Sequence, residues 1–414
     1  MKVAYFSPLP PNSSGIADYS ALLLPALSKL LDVEVVSEPK RRAGKGCDVA
    51  LYHVGNNPDV HGWIVEALRE RPGLVVLHEH VLHHLVAGMT IAVGDHEGYR
   101  VAMQRDSGVV GRLLAHGIID GIVPPVWESR PMDFPLCGEI LDLATGLIVH
   151  SETVEQAVLD RGYSGPIFRI PHPAWPKPNV VEDEALAGVT GPIFGAFGHL
   201  NTAKRVPQLV DAFAQVVATN PDAKLLLVGS ASEEIHVDAR LAEIAEQYPG
   251  SIIRLPYVEE ARLWNLIASC DVCVCLRYPT MGETSGIAIR ALGCGRPLVV
   301  SDVGWFSELS DEIAIKVPTG QGETEALAGA LRLLARDAPR RAAMGAAAEQ
   351  YAEGELDVER VAELYRRAIV EVAGGGAVRS QVVNDVAAAA EGSGFLANSA
   401  ELNLIAGRLR EVGI

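Results

Sequence analysis

No run of this 414-residue chain comes near the ~20 apolar residues that a membrane-spanning helix needs. Cysteine is scarce. The six positions, 47, 137, 270, 273, 275 and 294, are too few and too irregular for a disulfide framework in a chain this long. Basic charge is in deficit, with Lys+Arg 35 against Asp+Glu 52 and a net charge of −17. That balance argues against nucleic acid as the main partner. The opening MKVAYFSPLP runs straight into a strand-like segment without the apolar stretch of a signal peptide. A cytoplasmic protein is the expectation.

The chain is 49% hydrophobic, enough for real cores, and its length predicts two or three domains. Short Val/Ile/Leu runs alternate with amphipathic stretches. The spacing predicts strands at Val3–Ser7, Val33–Ser37, Val49–His53, Leu74–His78, Leu147–His150 and Ile167–Ile170, with helices such as Ala17–Leu31 and Val60–Arg69 between them. A Pro-rich passage from Pro171 to Pro178 reads as extended chain. The alternation then restarts, with strands expected at Pro192–Phe197, Lys224–Val228, Ile252–Leu255, Val272–Leu276, Leu298–Ser301 and Ala314–Val317. Uninterrupted apolar strands alternating with helices indicate parallel sheets covered on both faces. The expected fold is therefore α/β, two doubly wound Rossmann-like domains facing each other across a cleft. The boundaries read as 1–172, a linker at 173–190, a second domain at 191–354, a closing helix at 355–373 and an extension at 374–414. Within the extension, Glu401–Val412 carries a weak helical pattern.

Cys270, Cys273 and Cys275 lie in the strand-like run SCDVCVCLRY with no His nearby, so they read as small buried hydrophobes rather than metal ligands. Four loops at predicted strand ends hold the candidate chemistry. Ser7–Tyr19 opens a helix at Gly15, where backbone N–H groups of Gly15, Ile16 and Asp18 suit an anion or a sugar oxygen, although such glycines also serve turns. Leu77–His84 gathers four of the 12 histidines. Its spacing misses H-E-x-x-H, so His78, at a strand end, is the candidate for a sugar hydroxyl, while His83 and His84 read as structural. Phe197–Arg205 sets two adjacent cations, Lys204 and Arg205, before a helix, an arrangement that suits a diphosphate; a solvated pair is the plain alternative. Arg277–Pro297 places a small-residue loop before an apolar helix. The free N–H groups of Thr284, Ser285, Gly286 and Ile287 would face a phosphate there, with the carboxylate of Glu283 beside it.

Taken together, GHLNTAKRVPQLVDAFAQV, KLLLVGS, RLPYVEEARLWNLIASCDVCVCL and GETSGIAIRALGCGRPLVVSDVGWFSEL resemble, in this order, the retaining GT-B glycosyltransferases of family 4. The resemblance spans most of residues 1–372. It implies a nucleotide sugar bound mainly by the second domain, with Lys204 and Arg205 at the diphosphate, Gly198 beside them, and the 284–287 turn supplying N–H groups. It places Glu283 on the donor sugar, His78 close to the transferred sugar, Tyr257 and Val258 near the base, and Gly15, Ile16 and Asp18 on the acceptor side. The sequence departs from the family pattern at one point. Counted back from Gly295–Arg296–Pro297, the second Glu of the Glu-x7-Glu motif falls on Arg290, and strict spacing puts the first at Gly282, one residue before Glu283. A guanidinium cannot accept from a ribose diol, so Arg290 is expected on phosphate, with Glu308 a second candidate carboxylate.

The resemblance implies retaining transfer of a sugar, mannose favoured, from a GDP- or UDP-linked donor to a glycan, glycolipid or other hydroxyl acceptor. Charge on the leaving diphosphate is met by cations and a helix N-terminus, with no metal or other cofactor required. Two alternatives come from other classes: a non-catalytic GT-B-like partner protein, motivated by Arg290, and a nucleotide-sugar epimerase on the same architecture. Lys40–Arg41–Arg42 and Lys45 form a candidate patch for peripheral membrane contact, a solvated loop being the equal alternative.

Overall fold

The computed structural model describes residues 1–12, 14–40, 43–232, 236–395 and 399–411. The chain forms two compact units: Met1–Trp127 with Phe134–Ile170 and Val361–Ile414, and Glu128–Asp133 with Pro171–Arg360.

The first unit is built on six parallel strands in the order β2-β1-β3-β4-β5-β6: β1 (Lys2–Phe6), β2 (Asp32–Val36), β3 (Val49–Val54), β4 (Gly73–Leu77), β5 (Ala144–Val149) and β6 (Ile167–Arg169). β3 and β4 are buried along their whole length. That burial is why their sequences are unbroken apolar runs rather than alternating ones. The helix Gly15–Leu30 follows β1, and Ser14 caps it by accepting from Ile16 N. The helix Pro58–Glu70 starts at a proline behind the Asn57 cap, which costs no helical hydrogen bond. The helix His96–Ile119 breaks at Ser107 and at Gly108, whose φ of 60° and ψ of −150° are non-helical.

The second unit has six parallel strands in the order β12-β11-β10-β7-β8-β9: β7 (Ile193–Phe197), β8 (Lys224–Val228), β9 (Ile252–Leu255), β10 (Val272–Cys275), β11 (Leu298–Ser301) and β12 (Ala314–Val317). Strand order reverses between β7 and β10. In such sheets the crevice outside the carboxyl ends at that point is where ligands bind.

Two boundaries differ from the sequence reading. The Pro-rich passage packs as part of the second unit: Ala174 N donates to Leu356 O at 2.7 Å, and Trp175 rests against that unit's apolar core. The helix Val358–Ala373 does not close the second domain. From Val361 onward it belongs to the first unit, where the Tyr365 hydroxyl meets that of Tyr19 at 2.6 Å with both side chains buried. The extension holds two helices, Gly376–Gly392 and Ala400–Glu411; Val412 of the expected helix lies outside the described residues.

All six cysteines are buried and free. Cys270 and Cys273 sit in the core shared by Phe197, Ile267 and Ala291, where thiols act as small apolar groups.

Candidate functional site

Beyond the carboxyl ends of β7 and β10 lies a cavity of about 160 Å³. Its polar lining is Lys204, Arg277, Thr284, Ser285 and the backbone of Gly286. Each comes from a loop that leaves a strand end. Asn201 accepts from Lys204 N at 3.1 Å and so winds the short turn Thr202–Lys204. Lys204 Nζ then folds back to donate to Phe197 O at 2.6 Å. Burial, with the nearby Arg277 charge, lowers the Lys204 pKa to about 8. Gly198 is required here, because its φ is +87° and a Cβ would sit 2.6 Å from Lys204 Nζ.

On the opposite wall, Ser285 caps the helix Gly286–Gly293 by accepting from Ala288 N at 3.2 Å. Ile289 N bonds Ser285 O. The first-turn N–H groups of Gly286 and Ile287 therefore have no carbonyl to meet within the helix. A buried ammonium, a guanidinium and a helix N-terminus around one small cavity make an anion site, and charge-assisted bonds of this kind are about twice as strong as neutral ones.

Glu283 stands beside the cavity rather than in its lining. Its carboxylate accepts from Met281 N at 2.7 Å and Thr280 Oγ1 at 3.2 Å, and pairs with Arg277 Nε at 2.9 Å. Those bonds fix both the loop and Arg277. Sequence reasoning quoted Arg277 in its loop but gave it no role; its place two residues after β10 was the available signal.

Two predicted phosphate ligands are engaged elsewhere. Arg205, at φ 54°, donates through Nε to Glu323 Oε1 at 2.9 Å and does not line the cavity. Glu323 is 1% exposed, and a carboxylate so buried requires a cation partner. Arg290 is also withdrawn from the cavity. Its guanidinium stacks on Trp175, bonds Glu260 Oε1 through Nη2 at 2.7 Å, and reaches Gly286 O at 3.3 Å. Apolar neighbours and one carboxylate hold it in the wall behind the helix N-terminus. Glu308 ends the turn Gly304–Glu308 on the surface, Tyr257 is exposed, and Val258 packs on the core; none of the three lines the cavity.

In the first unit, His78 follows β4 and is buried. Its Nε2 lies 2.9 Å from His53 Nδ1 and its Nδ1 3.3 Å from His150 Nε2, so both ring nitrogens are engaged. Direct bonding to a sugar hydroxyl would have to displace one of them. His83 Nδ1 donates to Phe134 O at 2.7 Å and its Nε2 accepts from the Tyr99 hydroxyl at 2.8 Å, and His84 meets Asn56, which fits structural roles. Ile16 N is taken by the Ser14 cap, Asp18 N by Ser14 O, and a Cβ on Gly15 would meet nothing within 4 Å. Among the described residues no group of His, Cys, Asp and Glu is arranged to hold a metal ion. A larger cavity of about 280 Å³ also lies in this unit, between apolar side chains such as Leu85 and Met89 and the Arg69–Glu139 pair. Its arginines Arg69 and Arg105 are paired with Glu139 and Asp142, whereas among the described residues Lys204 forms no ion pair and a helix N-terminus adds to it, so the smaller cavity carries the stronger case for an anion.

Two parallel six-stranded α/β units are the GT-B architecture, and solved structures match it along almost the whole chain. Anabaena Alr3699/HepE in complex with UDP has a TM-score of 0.57 at 15% identity, covering 90% of this chain and 100% of that one. Sucrose-phosphate synthase from Thermosynechococcus elongatus has a TM-score of 0.59 at 19% identity, covering 89% and 99%. Residues 182–351, which lie within the second unit, match the family "Glycosyl transferases group 1". The chain is 30% identical over 182 residues to the GDP-mannose-dependent monoacylated alpha-(1-6)-phosphatidylinositol monomannoside mannosyltransferase of Corynebacterium glutamicum, covering 42% of this chain and 46% of that protein. It is 29% identical over 192 residues to the D-inositol 3-phosphate glycosyltransferase of Kineococcus radiotolerans, covering 42% and 43%. The chain thus spans about half the length of the curated relatives it matches.

Proposed function

We propose that the protein is a glycosyltransferase that moves a hexose from a nucleoside diphosphate sugar to a hydroxyl of a glycan or glycolipid. The observation that carries this reading is the convergence of Lys204, Arg277 and the Gly286 helix N-terminus on one cavity at the β7/β10 strand reversal. The group 1 match over residues 182–351 supports a sugar donor. GDP-mannose in the name of the Corynebacterium relative, and UDP in the Anabaena complex, support GDP- or UDP-linked donors with mannose favoured.

In this reading the bond from the sugar's anomeric carbon to the diphosphate oxygen breaks, and the acceptor oxygen bonds that carbon. The acceptor's proton passes to the departing phosphate, on the same face, so configuration is retained. Lys204 and Arg277 offset the charge that builds on the leaving group. Glu283 holds Arg277 in place and presents a carboxylate edge to the sugar. The acceptor binds the first unit, close to the loop around Gly15.

Action in the cytoplasm is part of this reading. Among the described residues no helix is long and apolar enough to cross a membrane. Peripheral contact through Lys40 and Lys45 belongs to this proposal, while Arg41 and Arg42 lie outside the described residues.

A melting-temperature screen with UDP, GDP and ADP tests the donor site, since a ligand that binds only the folded state raises Tm. Hydrolysis or transfer of a labelled sugar from the stabilising nucleotide then separates a transferase from a non-catalytic partner and from an epimerase. No shift with any of the three at millimolar concentration would sink the reading.

A further inference from the structure

The carboxyl ends of β3, β4 and β5 carry a row of histidines: His53 within β3, His78 directly after β4, and His150 directly after β5. Register pairs Val54 with Leu77 and Leu77 with Val149. Neighbouring strands run ~4.8 Å apart, and the ring centroids follow that spacing at 5.2 and 5.0 Å. Ring nitrogen therefore meets ring nitrogen along the row, His53 Nδ1 to His78 Nε2 at 2.9 Å and His78 Nδ1 to His150 Nε2 at 3.3 Å.

The polarity of this chain is fixed at one end. His150 Nδ1 lies 2.8 Å from Ile170 O, and a carbonyl only accepts, so that nitrogen carries the hydrogen. In a neutral ring Nε2 is then the acceptor, and His78 Nδ1 must donate to it. The same step makes His78 Nε2 an acceptor and His53 Nδ1 its donor. His53 Nε2 is left with a lone pair, and among the described residues this buried atom has no hydrogen-bond partner.

Such a chain accepts one proton in one way without losing a bond. A proton that binds His53 Nε2 lets Nδ1 pass its own hydrogen to His78 Nε2, and His78 Nδ1 passes its hydrogen to His150 Nε2. Every N–H···N bond survives with its direction reversed, and the charge comes to rest on His150, whose Nδ1–H still faces Ile170 O. A proton placed first on an inner nitrogen would set two N–H groups head to head. We propose that His53, His78 and His150 form a single proton-binding relay, loaded at His53 Nε2 and charged at His150.

The surroundings suit this role. Tyr5 from β1, Tyr19 from the helix Gly15–Leu30 and Tyr365 from the helix Val358–Ala373 enclose His53, with ring centroids 4.5, 5.8 and 6.4 Å away. His61, from the helix Pro58–Glu70, lies with Nδ1 3.2 Å from His53 O. The groups whose charges act on His53 are His150 and His61, both of which oppose protonation. Burial holds His53 well below the usual histidine range and His150 at about 4. The relay is thus empty at neutral pH and loads on acidification, whichever nucleotide the second unit binds.

The test is the tautomeric state of the full-length protein carrying ¹⁵N-labelled histidine, read from two-bond ring couplings. His53→Gln, His78→Gln and His150→Gln, made singly, assign the three spin systems. The expected result at pH 7.5 is an Nδ1–H tautomer in all three rings; an Nε2–H tautomer in any of them overturns the proposal. On titration toward pH 4 the three rings are expected to change together with one midpoint and one proton. Separate midpoints in the folded protein overturn it equally. Where a variant fails to fold, the wild-type spectrum still decides: His61, His83 and His172 also direct Nδ1 at carbonyl oxygens, so the relay requires six Nδ1–H histidines among all its signals, and fewer than six contradicts it.

Discussion

The guanidinium of Arg290, on the helix Gly286–Gly293, lies 3.7 Å from the ring centroid of Trp175 in the Pro-rich passage and so ties the two segments together. Glu260 completes the contact through Oε1. A desolvated stack of this kind contributes about 2 kcal/mol. Arg290→Ala is expected to lower the unfolding free energy by about that amount in urea melts while changing nucleotide Kd less than about threefold, roughly 0.7 kcal/mol. Arg290→Glu, which puts a carboxylate at the family's motif position, is expected to be worse, because it faces Glu260. A large loss of nucleotide binding in a stable Arg290→Ala protein would instead make Arg290 a direct ligand.

Lys204 predicts a pH dependence. Its pKa in the free protein, lowered to about 8 by burial, leaves the ammonium charged at pH 7 and progressively neutral above pH 8. A bound diphosphate favours the charged form, so nucleotide Kd is expected to rise above pH 8, by up to tenfold per pH unit. Lys204→Arg keeps its charge and is expected to flatten the profile. Lys204→Ala loses a charge-assisted bond worth about 1.5–3 kcal/mol, an increase in Kd of about 10- to 150-fold at pH 7. Calorimetric titration across pH 6.5–9.5 measures all three.

Arg205 is expected to behave in the opposite way. Its partner Glu323 is buried and, among the described residues, otherwise accepts from Gly320 N at 3.1 Å. Arg205→Ala strands that carboxylate, and breaking a buried pair from one side costs about 3–5 kcal/mol. Removing both charges, as in Arg205→Ala with Glu323→Leu, is expected to recover much of the loss. Nucleotide affinity of the double variant at pH 7 is expected to stay closer to wild type than that of Lys204→Ala. If the order is reversed, Arg205 belongs to the anion site after all.

What could be read in advance follows from how far apart the interacting residues are. All twelve predicted strands exist, with ends shifted by three residues at most, because a strand buried on both faces needs a continuous apolar run. The Lys204 and Gly286 loops were legible for a similar reason: a strand end, a glycine or small residue and a helix start lie consecutively. The commitments of the arginines were not. Arg205 and Glu323 are 118 residues apart, and Tyr19 and Tyr365 are 346 apart, with nothing local at either end to announce the pairing. His53 escaped notice because a histidine inside the apolar run VALYHV reads as one polar interruption, while its partners lie on two other strands. The helix His96–Ile119 was missed because its break at Ser107 and Gly108 disrupts the amphipathic period.

Acid stability supplies the remaining prediction. Burial lowers the pKa values of His61, His80, His83 and His150 to about 4, and that of His53 well below 6.5. Each folded-state pKa lies below the unfolded value near 6.5, so the unfolded chain binds more protons between pH 6.5 and 4. Stability contributed by these neutral rings is therefore complete above pH 6.5 and is lost as pH falls toward 4, by about 1.4 kcal/mol per pH unit for each proton that only the unfolded chain holds. Urea melts at pH 7.5, 6.5, 5.5, 5.0 and 4.5 are expected to show a flat region followed by a steep decline. His83→Gln, at a ring outside the relay, is expected to reduce the slope by one proton. Because the relay is proposed to bind one proton in the folded state, His150→Gln is expected to change the slope by a different amount from His83→Gln below pH 5. Equal slopes for the two variants would mean that His150 titrates as an isolated buried ring.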